Sequence, residues 1–405
     1  MLFNTLLIVA AAVSLVSAAA VERERLAVVP LKRKSNASSL KSLIRQGQNR
    51  LAQINGLSSL DTSLVSSGVV TNMDTYYTAS VTIGGKDWDL IMDTGCKPKP
   101  AEGRRAIYMT VLASNTWCGA REPYEKTATG ISTGRDFFLR YGSAAVSGTE
   151  YLEKVSFGGL TVNSQSIAAA SNSTGVDADG IFGLGPVRLT RGSVAGRDDV
   201  PTFMNNLKAQ GSIKTEVFGI SFRPESGNHT NDANGELTLG GIDASKFTGP
   251  LTYFPRLTKG DGAYFWGINV TKFTYGTTVL SSDISMGIVD TGTVITWIPT
   301  PAFEAFLSIT GAQFESRNRV PEWTRRPTAN FSITFGSTTY TLTPDQYLLP
   351  TDQHAVFGLD PGKYYAFLHD GGTEGYTTII GQKFLEYYCS VYDETNSRIG
   401  FAANS

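Results

Sequence analysis

The sequence predicts a mainly β protein made of two homologous lobes, and two observations support this. The 405 residues include 42 glycines, 21 phenylalanines and 17 tyrosines and are only 18% charged, a composition typical of short strands joined by tight turns. An apolar strand that runs into Asp-Thr-Gly also occurs twice, as "DLIMDTG" at 89–95 and "MGIVDTG" at 286–292. Two copies about two hundred residues apart indicate a duplicated unit.

The chain begins with a segment typical of export. Residues 1–19 combine an apolar run with small residues, the pattern of a secretory signal peptide. No later stretch reaches eighteen consecutive apolar residues, and no hydrophobic tail follows the last strand, so we expect neither a membrane span nor a lipid anchor. The sequence therefore predicts a secreted, extracellular protein.

Residues 20–68 form a basic segment. Eight Lys or Arg residues face three Asp or Glu residues there, and "SLKSLIRQGQNRLAQI" has helical spacing of Leu and Ile, whereas strand alternation is weak. We predict a propeptide that covers an acidic site, with Lys41, Arg45 or Arg50 reaching it. A solvated linker is the alternative.

The formal charge of −1 hides an acidic body. Without the eight basic and three acidic residues of the basic segment, and without the four basic and one acidic residues of 96–113, 23 basic and 32 acidic side chains remain. This excess of acid argues against nucleic-acid binding and fits a protein that works where its carboxylates are partly protonated.

From about residue 70 onward the signals are strands ending in Gly, Asn, Asp or Ser turns, such as "YYTASVTIGG", "KVSFGGLTV" and "FSITFGSTTYTL". A further pair, "ADGIFGLG" at 178–185 and "TTIIGQKFLEYYCSVYD" at 377–393, extends the repeat. We predict an N-terminal lobe over 69–250 and a C-terminal lobe over 251–405.

The repeat predicts that Asp93 and Asp290 face each other. Two carboxylates at hydrogen-bonding distance cannot both ionise cheaply, so such a pair holds one proton and titrates as a unit. The charged member can draw a proton from a bound water that attacks a peptide carbonyl, while the protonated member polarises that carbonyl. This chemistry needs no metal and no other cofactor.

The residues beside the two aspartates suit this chemistry. Gly95 and Gly292 allow the backbone to approach each carboxylate closely. Thr94 and Thr291 can hydrogen-bond across the two-fold axis, and Thr293 follows the second Asp-Thr-Gly. We expect these five residues to support the pair.

The motifs "MDTG", "SNTW", "RYGS", "DGIFGLG", "GIVDTGT" and "IIGQKFLEYY" occur in this order between about residues 70 and 402. The chain thereby resembles the pepsin-type aspartic endopeptidases, in particular the secreted polyporopepsin-like group of basidiomycete fungi, and "VVPLKRKS" resembles the start of their zymogen propeptides. The resemblance implies a bilobal pepsin-like acid protease fold, a monomer with a cleft between the lobes, and catalytic Asp93 and Asp290. It also implies peptide or protein substrates and inhibition by the chain's own propeptide.

The resemblance further assigns a β-hairpin flap. It matches Tyr141, Gly142 and Ser143 to the flap tip and Trp117 to the indole that hydrogen-bonds the flap tyrosine. Because Ser143 is not acidic, the resemblance implies a preference for hydrophobic P1 and P1′ residues over lysine.

The family pattern is interrupted by residues 96–113. Replacing Cys96–Ala113 by one serine restores "DTGSSNTW" and removes an excess of seventeen residues. Cys96-Lys97 can be encoded as TGT AAG, which contains the 5′ splice signal GTAAG, and Leu112-Ala113 can supply the terminal AG. Excision of the intervening nucleotides then joins the first T of the Cys96 codon to the last two bases, CN, of the Ala113 codon, which gives TCN, a serine codon. We predict a retained intron, with a surface insertion as the alternative, and expect the literal chain to lose activity because the Asp93 loop lacks its serine.

The cysteines, histidines and glycosylation sequons indicate less about the function. Cys118 and Cys389 are either free thiols or a bonded pair, and the three histidines lack metal-ligand spacing. Asn-x-Ser/Thr sequons predict glycosylation candidates at Asn172, Asn228, Asn269 and Asn330.

Two other functions remain open. A non-catalytic binding or inhibitor-like protein on the same fold would keep the lobes and lose the carboxylate pair. A two-carboxylate glycosidase is disfavoured because the symmetric repeat predicts equivalent roles for the two aspartates.

Overall fold

The computed structural model describes residues 26–35, 40–55, 75–95, 110–113, 124–141, 144–173, 178–224, 233–314 and 319–405. The predicted signal peptide, most of the segment 96–113, Trp117, Gly142, Ser143, Cys118 and Asn228 lie outside these ranges. For Tyr141 and Asn172 only the backbone is described.

The predicted mainly β class is confirmed. The strands up to residue 255 are β1 Ala27–Ser35, β2 Thr75–Ile83, β3 Lys86–Asp93, β4 Thr110–Ala113, β5 Ile131–Tyr141, β6 Ala144–Phe157, β7 Leu160–Ser173, β8 Gly180–Gly183, β9 Val217–Phe222, β10 Gly235–Leu239 and β11 Phe247–Pro255. Those that follow are β12 Gly267–Val270, β13 Lys272–Tyr275, β14 Thr278–Ser281, β15 Ser285–Val289, β16 Thr296–Ile298, β17 Gln313–Phe314, β18 Pro321–Trp323, β19 Phe331–Phe335, β20 Thr338–Leu342, β21 Tyr364–Tyr365, β22 Leu368–Asp370, β23 Tyr376–Ile380, β24 Tyr388–Asp393 and β25 Arg398–Asn404. The helices are α1 Leu40–Ile54, α2 Phe203–Ala209, α3 Thr300–Thr310, α4 Pro344–Tyr347 and α5 Gln382–Leu385.

The sequence repeat appears as a repeated strand arrangement. In the first lobe β3 runs parallel to β8, β8 runs antiparallel to β4, and β4 runs parallel to β7. In the second lobe β15, β23, β16 and β22 have the same order and the same directions. The two Asp-Thr-Gly segments therefore leave equivalent strands at equivalent points.

One sheet of thirteen strands links the two lobes, in the order β11-β25-β24-β9-β10-β1-β2-β3-β8-β4-β7-β6-β5. Strands β24 and β25 come from the end of the chain and pair with β9 and β11 of the first half. Beside this junction the Trp266 indole N–H donates to the Leu184 carbonyl oxygen over 2.8 Å. The lobes thus share a continuous sheet.

Strand β1 corrects the expectation that the basic segment has little strand character. It pairs with β10 through residues 27–31 and with β2 through residues 32–35. Ala27, Val29 and Leu31 are buried while Val28 is 47% exposed, so the alternation is real. Pro30 and the run of basic residues conceal it in the sequence.

Helix α1 lies where the spacing of Leu and Ile predicts a helix. Its buried side chains, including Leu43, Ile44 and Ile54, join a cluster with apolar residues of the second lobe such as Trp297 and Ile379. The basic segment is therefore packed into the molecule along this helix. No helix within the described ranges is long and apolar enough to cross a membrane.

Candidate active site

Two parallel strand pairs place the aspartates. Asp93 ends β3, and its carbonyl oxygen accepts a hydrogen bond from Leu184 N over 2.9 Å. Asp290 follows β15 directly, and its N–H donates to the Ile380 carbonyl oxygen over 3.0 Å. Both aspartates are fully buried, so each carboxyl is held by neighbouring groups rather than by bulk solvent.

The threonines after the aspartates lock the two loops together. Thr94 N donates to Thr291 Oγ1 over 3.2 Å, and Thr291 N donates to Thr94 Oγ1 over 3.0 Å. Each hydroxyl also donates across the lobes, Thr94 to the Val289 carbonyl and Thr291 to the Met92 carbonyl, both over 3.2 Å. This reciprocal network fixes one loop relative to the other.

The glycines bring each loop against the opposite carboxyl. Gly95 N donates to Asp93 Oδ1 over 2.8 Å, and Gly292 N donates to Asp290 Oδ1 over 2.9 Å. A Cβ on Gly95 would overlap the Asp290 carboxyl, and one on Gly292 would lie 2.9 Å from both Asp93 carboxylate oxygens. Any larger residue would push the two aspartates apart.

Arg50 of α1 lies between the two carboxylates. Its Nη2 is 3.1 Å from Asp93 Oδ2 and its Nε is 2.8 Å from Asp290 Oδ2. Burial raises the pKa of Asp290 above the usual range; the Arg50 charge opposes this rise and the Asp93 carboxylate adds to it. Of the three basic residues proposed from sequence, only Arg50 is buried, and Lys41 and Arg45 point to solvent.

Comparisons with known proteins decide the family. The eukaryotic aspartyl protease model matches residues 76–404. The chain belongs to the eukaryotic aspartyl protease family. Polyporopepsin from Irpex lacteus is 37% identical over 347 residues, covering 83% of this chain and 96% of its own. Cathepsin E from Aquarana catesbeiana is 30% identical, covering 92% and 89%.

A solved structure agrees with the sequence relatives. The crystal structure of aspartic proteinase from Irpex lacteus superposes with a TM-score of 0.74 at 30% identity, covering 94% of this chain and 98% of the other. The predicted family, the bilobal pepsin-like fold and the class of enzyme, a hydrolase acting on peptide bonds, are thereby confirmed.

Further contacts seat α1 in this aspartyl protease. Gln46 Nε2 donates to the Gly292 carbonyl oxygen over 2.8 Å. Gly47 lies so close to the Trp297 indole that a Cβ would overlap it. At the helix end, Asn55 Nδ2 donates to the Tyr376 carbonyl over 3.0 Å and Asn55 Oδ1 accepts from Tyr376 N over 2.6 Å. Sequence reasoning missed these three residues because nothing in their spacing indicates which face meets the protease.

The predicted flap falls on the hairpin of β5 and β6. The strands pair antiparallel, and Tyr141 and Ala144 are the last partners before the tip. The tip residues and Trp117 lie outside the described ranges, so the flap assignment of these residues stays a prediction.

The two active-site loops of the aspartyl protease differ in two ways. Thr293 Oγ1 donates to Asp290 Oδ2 over 2.6 Å, and the position three residues after Asp93 is Cys96 instead of a hydroxyl residue. Strand β16 begins six residues after Asp290, whereas its counterpart β4 begins seventeen residues after Asp93 and is made of Thr110–Ala113. Part of the interrupting segment thus lies in a strand position of the repeat.

The remaining candidates lie away from the aspartates. Asn269 and Asn330 are exposed, which suits a sequon that carries sugar. Cys389 is buried and has no disulfide partner among the described residues; its potential partner Cys118 lies outside these ranges, so the choice between free thiols and a bonded pair stays a prediction.

Proposed function

We propose that the chain is the secreted, monomeric precursor of an aspartic endopeptidase that cleaves peptide bonds in acid, with Asp93 and Asp290 activating water. The observation that carries this proposal is the pair of buried aspartates, which face one another across the Thr94–Thr291 network and share Arg50. A glycosidase would have no need of such two-fold equivalence.

The proposed chemistry uses one proton shared by the two carboxyls. The ionised member takes a proton from the attacking water, and the protonated member donates to the scissile carbonyl as it becomes an oxyanion. The N–H groups of Gly95 and Gly292 each hold one carboxylate oxygen, which leaves the second oxygen of each aspartate toward the substrate. These second oxygens are the ones that Arg50 contacts in the precursor.

Arg50 makes the precursor inactive in this proposal. Its guanidinium occupies the place of the water and the substrate carbonyl, and it remains charged at any physiological pH. Release therefore depends on protonation of the carboxylates, which removes the partners of the guanidinium as the pH falls.

The surface beneath α1 supports a preference for hydrophobic P1 and P1′ residues. The buried leucines and isoleucines of α1 lie against Trp297, Tyr376 and Phe265. A substrate that replaces this helix would meet the same apolar surface.

Export is supported by the N-terminal sequence pattern, and we propose that sugar is attached at Asn172, Asn228, Asn269 and Asn330.

We propose that the active enzyme lacks the seventeen-residue excess in 96–113. The internal repeat supports this: with one serine in place of Cys96–Ala113, Thr116–Cys118 begins six residues after Asp93, the same offset as Thr296–Ile298 after Asp290. The two segments then read Thr-Trp-Cys and Thr-Trp-Ile. For the full 405-residue chain we propose a folded but inactive product, because Thr110–Ala113 already fills the β4 position and the hydroxyl beside Asp93 is missing.

The test compares two proteins, the full chain and the form in which serine replaces Cys96–Ala113. We expect the second to cleave denatured protein at about pH 3 to 4 and to be inhibited by pepstatin, and the first to be inactive. Asp290→Asn in the second form is the control and should abolish cleavage. No cleavage by the second form would overturn the enzyme proposal, whereas transcripts that all contain the 51 extra nucleotides would overturn only the splicing proposal.

A further inference from the structure

The loop that carries Asp290 is braced from behind by the turn at the start of α5. Gln382 N donates to the Thr293 carbonyl over 2.7 Å, and Lys383 N donates to the Val294 carbonyl over 3.2 Å. Gly381 packs so closely that a Cβ would lie 2.6 to 3.0 Å from the carbonyl oxygens of residues 293–295. The turn is therefore packed and hydrogen-bonded directly against the loop.

One side chain extends this brace toward the aspartate. Gln382 is completely buried, and its Nε2 donates to the Thr291 carbonyl oxygen over 2.8 Å. Thr291 is the residue directly after Asp290 and is also the partner of Thr94. Gln382 Oε1 has no hydrogen-bond partner within the described part of the chain. The amide is therefore held at this site through its N–H group.

At the equivalent position the first lobe has an apolar side chain. Strand register places Gly183 beside Asp93, and the next residue, Leu184, takes the position that Gln382 has in the second lobe. Leu184 is buried in the apolar core. Among the residues that the structure describes, only the Asp290 loop therefore has such a polar side chain behind it.

We infer that Gln382 is a positioning residue of the aspartate pair, and that its uncharged amide is required because it can donate to the Thr291 carbonyl at every pH. This inference rests on the proposed function. A glutamate of the same size could donate only when protonated, and its ionised form would face a carbonyl oxygen and add a second negative charge beside the singly protonated pair.

The charged groups around this position are few. Asp290 and Asp93 lie beyond Thr291, with Arg50 between them in the precursor. On α5 itself Lys383 pairs with Glu386 over 2.9 Å. The neighbouring α4 and β24 contribute Asp345 and Asp393, which are paired with Arg326 and Arg398. The Asp290 and Asp93 carboxyls are therefore the groups whose titration a charge at position 382 would shift.

The experiment compares Gln382→Glu, Gln382→Leu and Gln353→Leu in whichever of the two forms above cleaves substrate. Gln353 is a matched control because it is a buried glutamine of the same lobe whose Nε2 has no partner among the described residues. We expect Gln382→Leu to lower kcat about tenfold with little change in KM. For Gln382→Glu we expect kcat near the parent value at the lowest pH and a fall in kcat as the new carboxyl ionises and stops donating to the Thr291 carbonyl. Its negative charge raises the pKa of the aspartate pair, so the final loss of activity moves to a higher pH than in the parent. Gln353→Leu should keep the parent kcat and pH profile.

Three results separate the possible failures. A Gln382→Glu pH profile that superposes on that of the parent overturns the inference, as does a Gln382→Leu enzyme with parent kcat. Thermal unfolding and pepstatin binding of each variant show whether it is folded, so a loss of kcat that merely follows loss of folded protein also overturns it. If neither parent form cleaves substrate, the proposed function itself fails.

Discussion

At the scale of single residues, the aspartates, glycines and threonines could be named from the sequence because the duplicated Asp-Thr-Gly places them in equivalent positions. For the basic residue that reaches the aspartates, the sequence left three candidates, of which Arg50 is one. Its position depends on how α1 is rotated about its axis, which is fixed by Gly47 against Trp297 and by Gln46 on the Gly292 carbonyl. These contacts join residues more than two hundred positions apart, so local spacing does not reveal them.

Arg50→Gln should raise the pH at which the precursor processes itself, by about one unit. The Arg50 charge opposes the rise in the pKa of Asp290, so without it the pair takes up its proton at a higher pH, and the ionic contacts that Arg50 makes with Asp93 and Asp290 are absent at every pH. Conversion can be followed on gels after incubation between about pH 3 and 7. Arg45→Gln, an exposed change on the same helix, should leave the midpoint unchanged, and equal midpoints for both variants would contradict the role of Arg50.

At the scale of secondary structure elements, strands with plain alternation and α1 could be predicted, and β1 could not. The residues of β1 alternate between buried and exposed, but two of its three exposed positions, Pro30 and Lys32, are proline or basic, so the segment reads as a loop. Strand β4 was also unforeseen because Thr110–Ala113 belongs to a segment that fits no family motif. Short strands of this kind form only when two partners already flank them, as β7 and β8 do here.

Leu31→Ala in β1 should destabilise the precursor by about 2 to 5 kcal/mol, because Leu31 is fully buried and its removal leaves a cavity. Val28→Ala, in the same strand but 47% exposed, should cost less than about 1 kcal/mol. Denaturant unfolding of the two variants at neutral pH measures the difference. Equal losses would mean that β1 is not a packed part of the sheet.

At the scale of the whole molecule, the proposed activity in acid requires that the protein remain folded there, and one buried histidine lowers its stability in acid. The His369 ring lies tilted against Trp297, with ring centroids 4.3 Å apart, and also contacts the rings of Phe303 and Phe314. Burial lowers the pKa of His369 to about 4; contacts with Asp370 oppose this shift, and the charge of Arg319 adds to it while a backbone hydrogen bond to Arg319 opposes it. The neutral ring is thus favoured in the folded state, so its stabilising effect is complete above about pH 6.5 and is lost as the pH falls from there to about 4.

His369→Phe should remove this loss and keep the aromatic contacts. We expect the drop in the free energy of unfolding between pH 7 and pH 4 to be smaller by about 3 kcal/mol in the variant. Calorimetric or denaturant unfolding at both pH values measures it, and the values at pH 7 serve as the internal reference. If both proteins show the same pH dependence, protonation of His369 does not lower the stability of the folded protein, and the prediction is wrong.

The position of β1 has a consequence for the proposed removal of the propeptide. The strand is the seam between the two halves of the thirteen-stranded sheet, joined to β10 on one side and to β2 on the other. A cut that releases it leaves two open edges in the middle of the protein, each with unpaired N–H and C=O groups that can recruit a strand from another chain. If the proposed maturation removes β1, other residues of the same chain must therefore pair with β2 and β10, or the processed protein will associate with its copies.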